Sequence, residues 1–327
     1  MTGRRLAMLL PGQGSQYAGM AVELYEREPE FTSIVDEFFH HMGADGALVR
    51  DRWLRDGAGV DEGTQAQPLL FAVGYAIAKM LHDRGLRPDV LVGHSVGELA
   101  AACLAGVFDL PGAARILVGR GRALAAAPAG GMLGVAASRE DVEGCVEPRW
   151  AARGVVVGAV NAPQQTVLSG PDPELSQAEQ AIREAGFTAR RVRATEPWHS
   201  PAMDQAAELF ELAVAAEPLH RPELPIVSGR TGQRVTDEQA VDPSFWARQM
   251  AEPVLFWPAL DTALEDHTVV EAGQGLAMLA RRHPAVRRGG SEVISLLPSA
   301  GRPGWETWKK GLSRIDCTTL VEADDFV

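Results

Sequence analysis

The sequence predicts an α/β protein: a parallel sheet flanked by helices, with a small mixed unit inserted into it. Three observations carry this. Short apolar runs alternate with segments of helical period over residues 6–126. One run, Val90-Leu91-Val92, closes on Gly93-His94-Ser95-Val96-Gly97 and leads straight into the small-residue segment VGELAAACLA. Between residues 132 and 192 the order changes to strand, helix, strand, strand, helix, strand.

Taken in order, residues 6–10 (LAMLL) read as the first core strand. Arg4 and Arg5 precede it, but the run stops at Pro11-Gly12, too short for a signal peptide or a membrane span. Residues 67–84 read as a mostly buried helix, 90–92 as a strand and 96–105 as a tightly packed helix. Then come strand 132–136, a helix from Arg139, strands 155–161 and 166–169, helix 173–185 and strand 188–192. That βαββαβ order is the ferredoxin-like unit. It is placed as a small domain over 131–195, between Gly130-Gly131 and Glu196-Pro197. A large α/β-hydrolase-like parallel-sheet domain then takes 1–130 and 196–327. It resumes with a helical segment after Pro201 and a strand at 225–228, and alternates to about residue 297. The last residues, VEADDFV, read as an acidic, frayed tail.

At 327 residues and 46% hydrophobic, the chain can bury a large core. Cys103, Cys145 and Cys317 lie far apart with no CxxC, so neither a disulfide framework nor a metal site is expected, and a reducing cytoplasm fits. The net charge of -12 argues against nucleic acid as a partner. Two basic clusters stand against it, Arg190/Arg191/Arg193 and Arg281/Arg282 with Arg287/Arg288. Each is suited to an acidic partner or a phosphate, or is simply solvated.

A G-x-S-x-G between a strand and a helix is the pattern of a nucleophile elbow, which lifts the serine hydroxyl out of the sheet and makes Ser95 the candidate nucleophile. The pattern alone is also compatible with a Gly-rich turn whose serine caps the helix. A serine needs a base. His94 is its neighbour, but adjacent residues on a tight elbow point apart, so His94 is assigned a packing or turn role. His199, in Glu196-Pro197-Trp198-His199-Ser200-Pro201, is the stronger candidate. Ser200-Pro201 reads as an N-cap and N1 pair, and the positive end of the helix dipole would keep the imidazole neutral. A turn histidine that only packs is the alternative. The other histidines, His40, His41, His82, His220, His267 and His283, read as surface residues. Arg120 falls in the apolar stripe of Ala113, Ile116, Leu117 and Leu124. A buried arginine is expensive unless an anion meets it, so it reads as an anion-binding group, with a snorkelling side chain or a structural salt bridge as the alternative. Pro11-Gly12-Gln13-Gly14-Ser15-Gln16 follows the first strand and is not a Walker loop. It reads as the source of a second N–H donor for an oxyanion hole, the first being Val96 N–H.

Together these residues resemble one family, the malonyl-CoA:acyl carrier protein transacylases and the acyltransferase domains of polyketide synthases. PGQGSQ, QPLLFAV, GHSVGELAAA, an arginine 25 positions past the serine, NAPQQTVLSG, a histidine just before a helix and RQMAEPV appear in the family's order and cover essentially the whole chain. The resemblance implies a ping-pong acyl transfer through Ser95 and His199, in polyketide or fatty acid biosynthesis. It implies oxyanion donors at Gln13 and Val96, a histidine-orienting backbone carbonyl at Gln249, and a substrate-carboxylate contact at Arg120, with Trp198 and His94 beside the acyl group. No bound cofactor is implied. The substrates would be acyl-CoA and the phosphopantetheine thioester of an acidic acyl carrier protein, docked on Arg190, Arg191, Arg281 and Arg282. The chain is expected to act as a cytoplasmic monomer, with neither nucleic acid nor membrane as partner. Nothing precedes the first strand, and the final segment resembles the piece that follows acyltransferase domains in large synthases. The chain therefore reads as a discrete enzyme serving carrier proteins in trans, or as a domain excised from a longer chain.

The tetrapeptide ending in the histidine is usually HAFH for malonyl and YASH for methylmalonyl, and here it is EPWH. The bulk of Trp198 and the valine at 96 favour malonyl. A pocket for an unusual acyl group passed between carrier proteins is the alternative, as is a serine hydrolase or thioesterase. A hydrolase would place an Asp or Glu beside His199 and would have no need of Arg120.

Overall fold

The computed structural model describes residues 5–55, 61–265, 267–289 and 291–320, so the acidic tail lies outside the described residues. Its strands are β1 (Arg5–Leu10), β2 (Val90–Gly93), β3 (Gly130–Val135), β4 (Val156–Ala162), β5 (Gln165–Pro171), β6 (Ala189–Arg191), β7 (Ile226–Val227), β8 (His267–Glu271) and β9 (Val293–Ser295). Five of them form a sheet of order β7-β2-β1-β8-β9, in which each neighbouring pair runs parallel. The other four form an antiparallel sheet of order β4-β5-β3-β6, which is the ferredoxin-like arrangement expected from the order of elements.

The parallel sheet is buried on both faces, as crossover helices require. Along β1, Leu6, Met8 and Leu10 join one apolar cluster while Ala7 and Leu9 join the other. The first cluster is dominated by the Gly63–Asp83 helix, buried along most of its length, which packs on the Val96–Leu104 helix. Three helices that the sequence pattern did not resolve, Val22–Arg27, Pro29–His41 and Ala44–Arg55, complete that side. His267 and His283, expected on the surface, are buried at 6% and 3% exposure. His283 is held by Asp261 at 2.9 Å and by the Trp257 ring, which offsets the cost of its burial. Among the described residues no helix is long and apolar enough to cross a membrane.

What positions the site is the shared end of β1 and β2, where Leu10 pairs with Gly93. Loops at the C-terminal ends of adjacent parallel strands must lie side by side. The 11–16 loop and the 93–97 elbow do so. The two sheets meet through residues 249–254: His199 N–H donates to the Met250 carbonyl at 2.8 Å, and Val254 exchanges hydrogen bonds with β4 through Val160 N–H and the Gly158 carbonyl at 2.8 and 2.9 Å.

The elbow tolerates no side chain on its far glycine. A Cβ at Gly97 would lie 2.1 Å from the Leu10 carbonyl oxygen, on the backbone of β1. Gly97→Ala is expected to lower the unfolding free energy by at least about 2 kcal/mol in chemical denaturation, because backbone in a central strand cannot yield. A stability equal to that of the unaltered protein would contradict this packing.

Candidate active site

Ser95 stands at φ 52° and ψ −123°, a conformation that non-glycine residues adopt only under constraint. The strain has a use. It turns the Ser95 hydroxyl toward the opposite wall, where Oγ lies 2.9 Å from His199 Nε2. His199 is also left-handed, at φ 64°. Ser95 does not cap the following helix, which removes the capped-turn alternative.

His199 Nδ1 lies 3.0 Å from the backbone carbonyl of Glu252. A carbonyl only accepts, so Nδ1 carries the proton and Nε2 offers its lone pair to the Ser95 hydroxyl. The orienting carbonyl expected at Gln249 is therefore found mainly three residues later, with the Gln249 carbonyl a lesser contributor. The reason is register: the Met250 carbonyl is already taken by His199 N–H, which sets the ring over the next turn. Among the described residues no carboxylate occupies the third position of a triad. The Glu252 side chain turns to Arg230 and Arg248 instead.

His199 is 3% exposed, and its pKa is lowered to about 3. Burial is the main cause, followed by the nearby His94 and Arg120. The expected helix-dipole mechanism is not what acts here. Ser200 makes no cap; its hydroxyl donates to the Pro197 carbonyl at 2.7 Å, and residues 201–203 form a single 3-10 turn before the Asp204–Ala215 helix. His94 is likewise pushed toward neutrality by burial, held by Asn161 at 2.9 Å and packed on Phe256.

Arg120 is 1% exposed, and no carboxylate meets it among the described residues, so the salt-bridge alternative fails. Its Nε donates to Gln67 Oε1 at 2.7 Å, while both terminal nitrogens lack a partner. The rings of Trp198 and Phe210 lie 5.0 and 5.1 Å from the guanidinium carbon. Trp198, expected as a wall of the acyl pocket, is thus also a shelf for the arginine, and its indole N–H is tied to Glu196 at 3.2 Å. Burial without a counter-charge lowers the Arg120 pKa to about 9.

Because arginine has only donors, it fixes the sense of a relay. Gln67 must present oxygen to Arg120, so its Nε2 donates to Gln13 Oε1 at 3.0 Å. Gln13 is left with a buried, unpartnered Nε2. The loop carrying Gln13 lies hard against the elbow, since a Cβ at Gly12 would sit 2.2 Å from the His94 carbonyl oxygen. Val96 begins the Val96–Leu104 helix, next to the nucleophile.

Three contributors were missed from sequence. Glu98 is 2% exposed, accepts from Gln249 Nε2 at 3.2 Å, and has its pKa raised by burial. A charge beside the apolar LAAACLA stretch was the available signal. Asn161 and Glu252 lie in motif blocks but act through partners far away in sequence. Of the basic residues, Arg190 and Arg282 are exposed, and Arg281 donates to the Val293 carbonyl. Arg191 is not a free cation: Asp172, Glu179 and Ser176 hold it within the small sheet.

A family model described as the acyl transferase domain matches residues 8–302. The chain is 38% identical over 292 residues to a phenolphthiocerol/phthiocerol polyketide synthase polypeptide of Mycobacterium tuberculosis, covering 86% of this chain and 19% of that protein. It thus spans about a fifth of the length of that relative. It superposes on the acyl transferase domain of SpnD, solved in complex with 2-(pent-4-yn-1-yl)malonyl, with TM-score 0.88 and 28% identity, covering 97% of this chain and 77% of that one. FabD from Acinetobacter baumannii gives TM-score 0.82 at 26% identity, over 96% and 99% of the two chains. With the family model spanning both sheets and the Ser95–His199 pair in place, the chain belongs to the acyl transferase domain family and is an acyltransferase.

Proposed function

We propose that this acyltransferase moves a malonyl-type acyl group from CoA to the phosphopantetheine thiol of an acidic acyl carrier protein, in cytoplasmic polyketide or fatty acid biosynthesis. The observation that carries the reading is Arg120: a buried guanidinium with two unpartnered terminal nitrogens, close enough to His199 to lower its pKa. A free carboxylate on the acyl group supplies the missing bidentate partner, and so places the thioester carbon at Ser95. The malonyl-type ligand in the SpnD domain supports the same class. Trp198, stacked on Arg120, favours a small acyl chain.

In the first half-reaction Ser95 Oγ attacks the thioester carbonyl while His199 Nε2 takes its proton. The oxyanion is met by the backbone N–H groups of Gln13 and Val96. Collapse breaks the carbon–sulfur bond, and the imidazolium returns the proton to the departing CoA thiolate. In the second half the carrier's thiol gives its proton to His199 and attacks the acyl-Ser95 carbonyl. Ser95 leaves and recovers the proton. His94, neutral and held by Asn161, lines the same side. The exposed Arg190, Arg281 and Arg282 are the cations left to receive the acidic carrier.

Arg120→Ala should reduce kcat/KM for malonyl-CoA on the order of 100-fold, while acetyl-CoA transfer changes little, because acetyl has no carboxylate to lose. Equal losses for both donors would make Arg120 a structural residue. The pH profile gives a second test. With His199 held neutral down to about pH 3, kcat/KM for Ser95 acylation should stay flat from about pH 8 to about pH 5. A fall centred near about 6.5, the ordinary imidazole value, would contradict the burial of the base. The same depressed pKa makes folding less favourable as pH drops below about 6.5, where the unfolded chain takes up a proton that the native one refuses.

A further inference from the structure

Glu252 uses two sets of atoms. Its carbonyl accepts from His199 Nδ1 at 3.0 Å, while its carboxylate is gripped by Arg230 at 2.6 Å and by Arg248 Nε at 2.6 Å. Arg248 is half exposed, but the Arg230 side chain is only 14% exposed. Its guanidinium carbon lies 4.3 Å over the Phe245 ring, and the Arg230 backbone N–H donates to Ser228 Oγ at 3.1 Å. Ser228 belongs to the turn that follows β7, so Arg230 reaches the catalytic segment from a separate, fixed part of the large sheet. Pro253 follows Glu252 and restricts its backbone to extended conformations. The peptide plane carrying the orienting carbonyl is therefore constrained from both sides, by the proline ring and by the anchored side chain.

In a serine triad a carboxylate aims the histidine directly. Here the aim depends on a main-chain carbonyl. We infer that Arg230 and the Glu252 carboxylate form a positioning pair that holds the Glu252 carbonyl under His199 and thereby sets the reactivity of Ser95. The inference rests on the Ser95–His199 pair of the proposed mechanism but not on which acyl group is carried. It is tested with an alkyl fluorophosphonate, which needs no acyl recognition: Ser95 Oγ bonds to phosphorus, fluoride leaves, and His199 takes the serine proton. Intact mass followed in time gives the rate.

Arg230→Met should slow phosphonylation of Ser95 on the order of 10- to 100-fold, as expected for a misplaced general base, with a melting temperature near that of the unaltered protein. Arg230→Lys, which keeps the ion pair, should recover most of the rate. Glu252→Gln keeps the carbonyl and removes the charge, and should be slowed like Arg230→Met; it decides the matter if Arg230→Met does not fold. Unchanged phosphonylation in Glu252→Gln, or a loss that Arg230→Lys does not recover, would overturn the pair as a positioning device. Failure of the unaltered protein to accept malonyl-CoA while these differences persist would count against the substrate reading alone.

Discussion

The Arg120 guanidinium is buried to 1% exposure with one neutral acceptor and two aromatic faces in place of a counter-ion, an expensive placement for a charge. Burying an unpaired charge is tolerated where a ligand later supplies the partner. Much of the site is arranged around that unmet charge. It fixes the amide orientation of Gln67, and through Gln67 that of Gln13 in the loop beside the elbow. It contributes to keeping His199 neutral. An incoming carboxylate would satisfy the guanidinium in the step that brings the reacting carbon to Ser95.

The absence of a carboxylate beside His199 among the described residues suits the chemistry. A thiolate is a far better leaving group than an amine, so the base need not hold its proton strongly to expel CoA in the first half-reaction. A buried imidazole aimed by a carbonyl is weaker than a triad histidine but correctly protonated. The carboxylate that the hydrolase reading required is present in the sequence at Glu252, yet its charge faces Arg230 and Arg248 rather than the imidazole. Residue type alone does not distinguish the two arrangements. The direction of one side chain does.

The parts of the site legible in the sequence are those with a local pattern. Ser95 stands between a strand and a small-residue helix, Arg120 breaks an apolar stripe, and the order of elements from 132 to 192 specifies the antiparallel sheet. What escapes depends on contacts between distant segments. The Glu252 carbonyl joins Gln249 as the main partner of the His199 ring, where backbone register is set by the bond from His199 N–H to the Met250 carbonyl, a contact between segments remote in sequence. Ser200 looks like a cap, but its hydroxyl finds Pro197 nearer. Trp198 reads by its size, whereas its stacking is on an arginine from the remote Leu110–Ala123 helix, which Phe210 reaches from the Asp204–Ala215 helix. His283 and His267 sit among polar neighbours in sequence and still become core. The helices between β1 and residue 63 are amphipathic, Pro29–His41 clearly so with Phe31, Val35, Phe38 and Phe39 buried, but no motif block draws attention to them.

The central claim is that Ser95 carries the acyl group between two thiols. Its most direct test is peptide mapping by mass spectrometry after brief exposure to malonyl-CoA, followed by addition of a phosphopantetheinylated carrier protein. A malonyl mass on the peptide containing Ser95, discharged to the carrier, is the result expected. A label on any other residue, or one lost only to water, would contradict it.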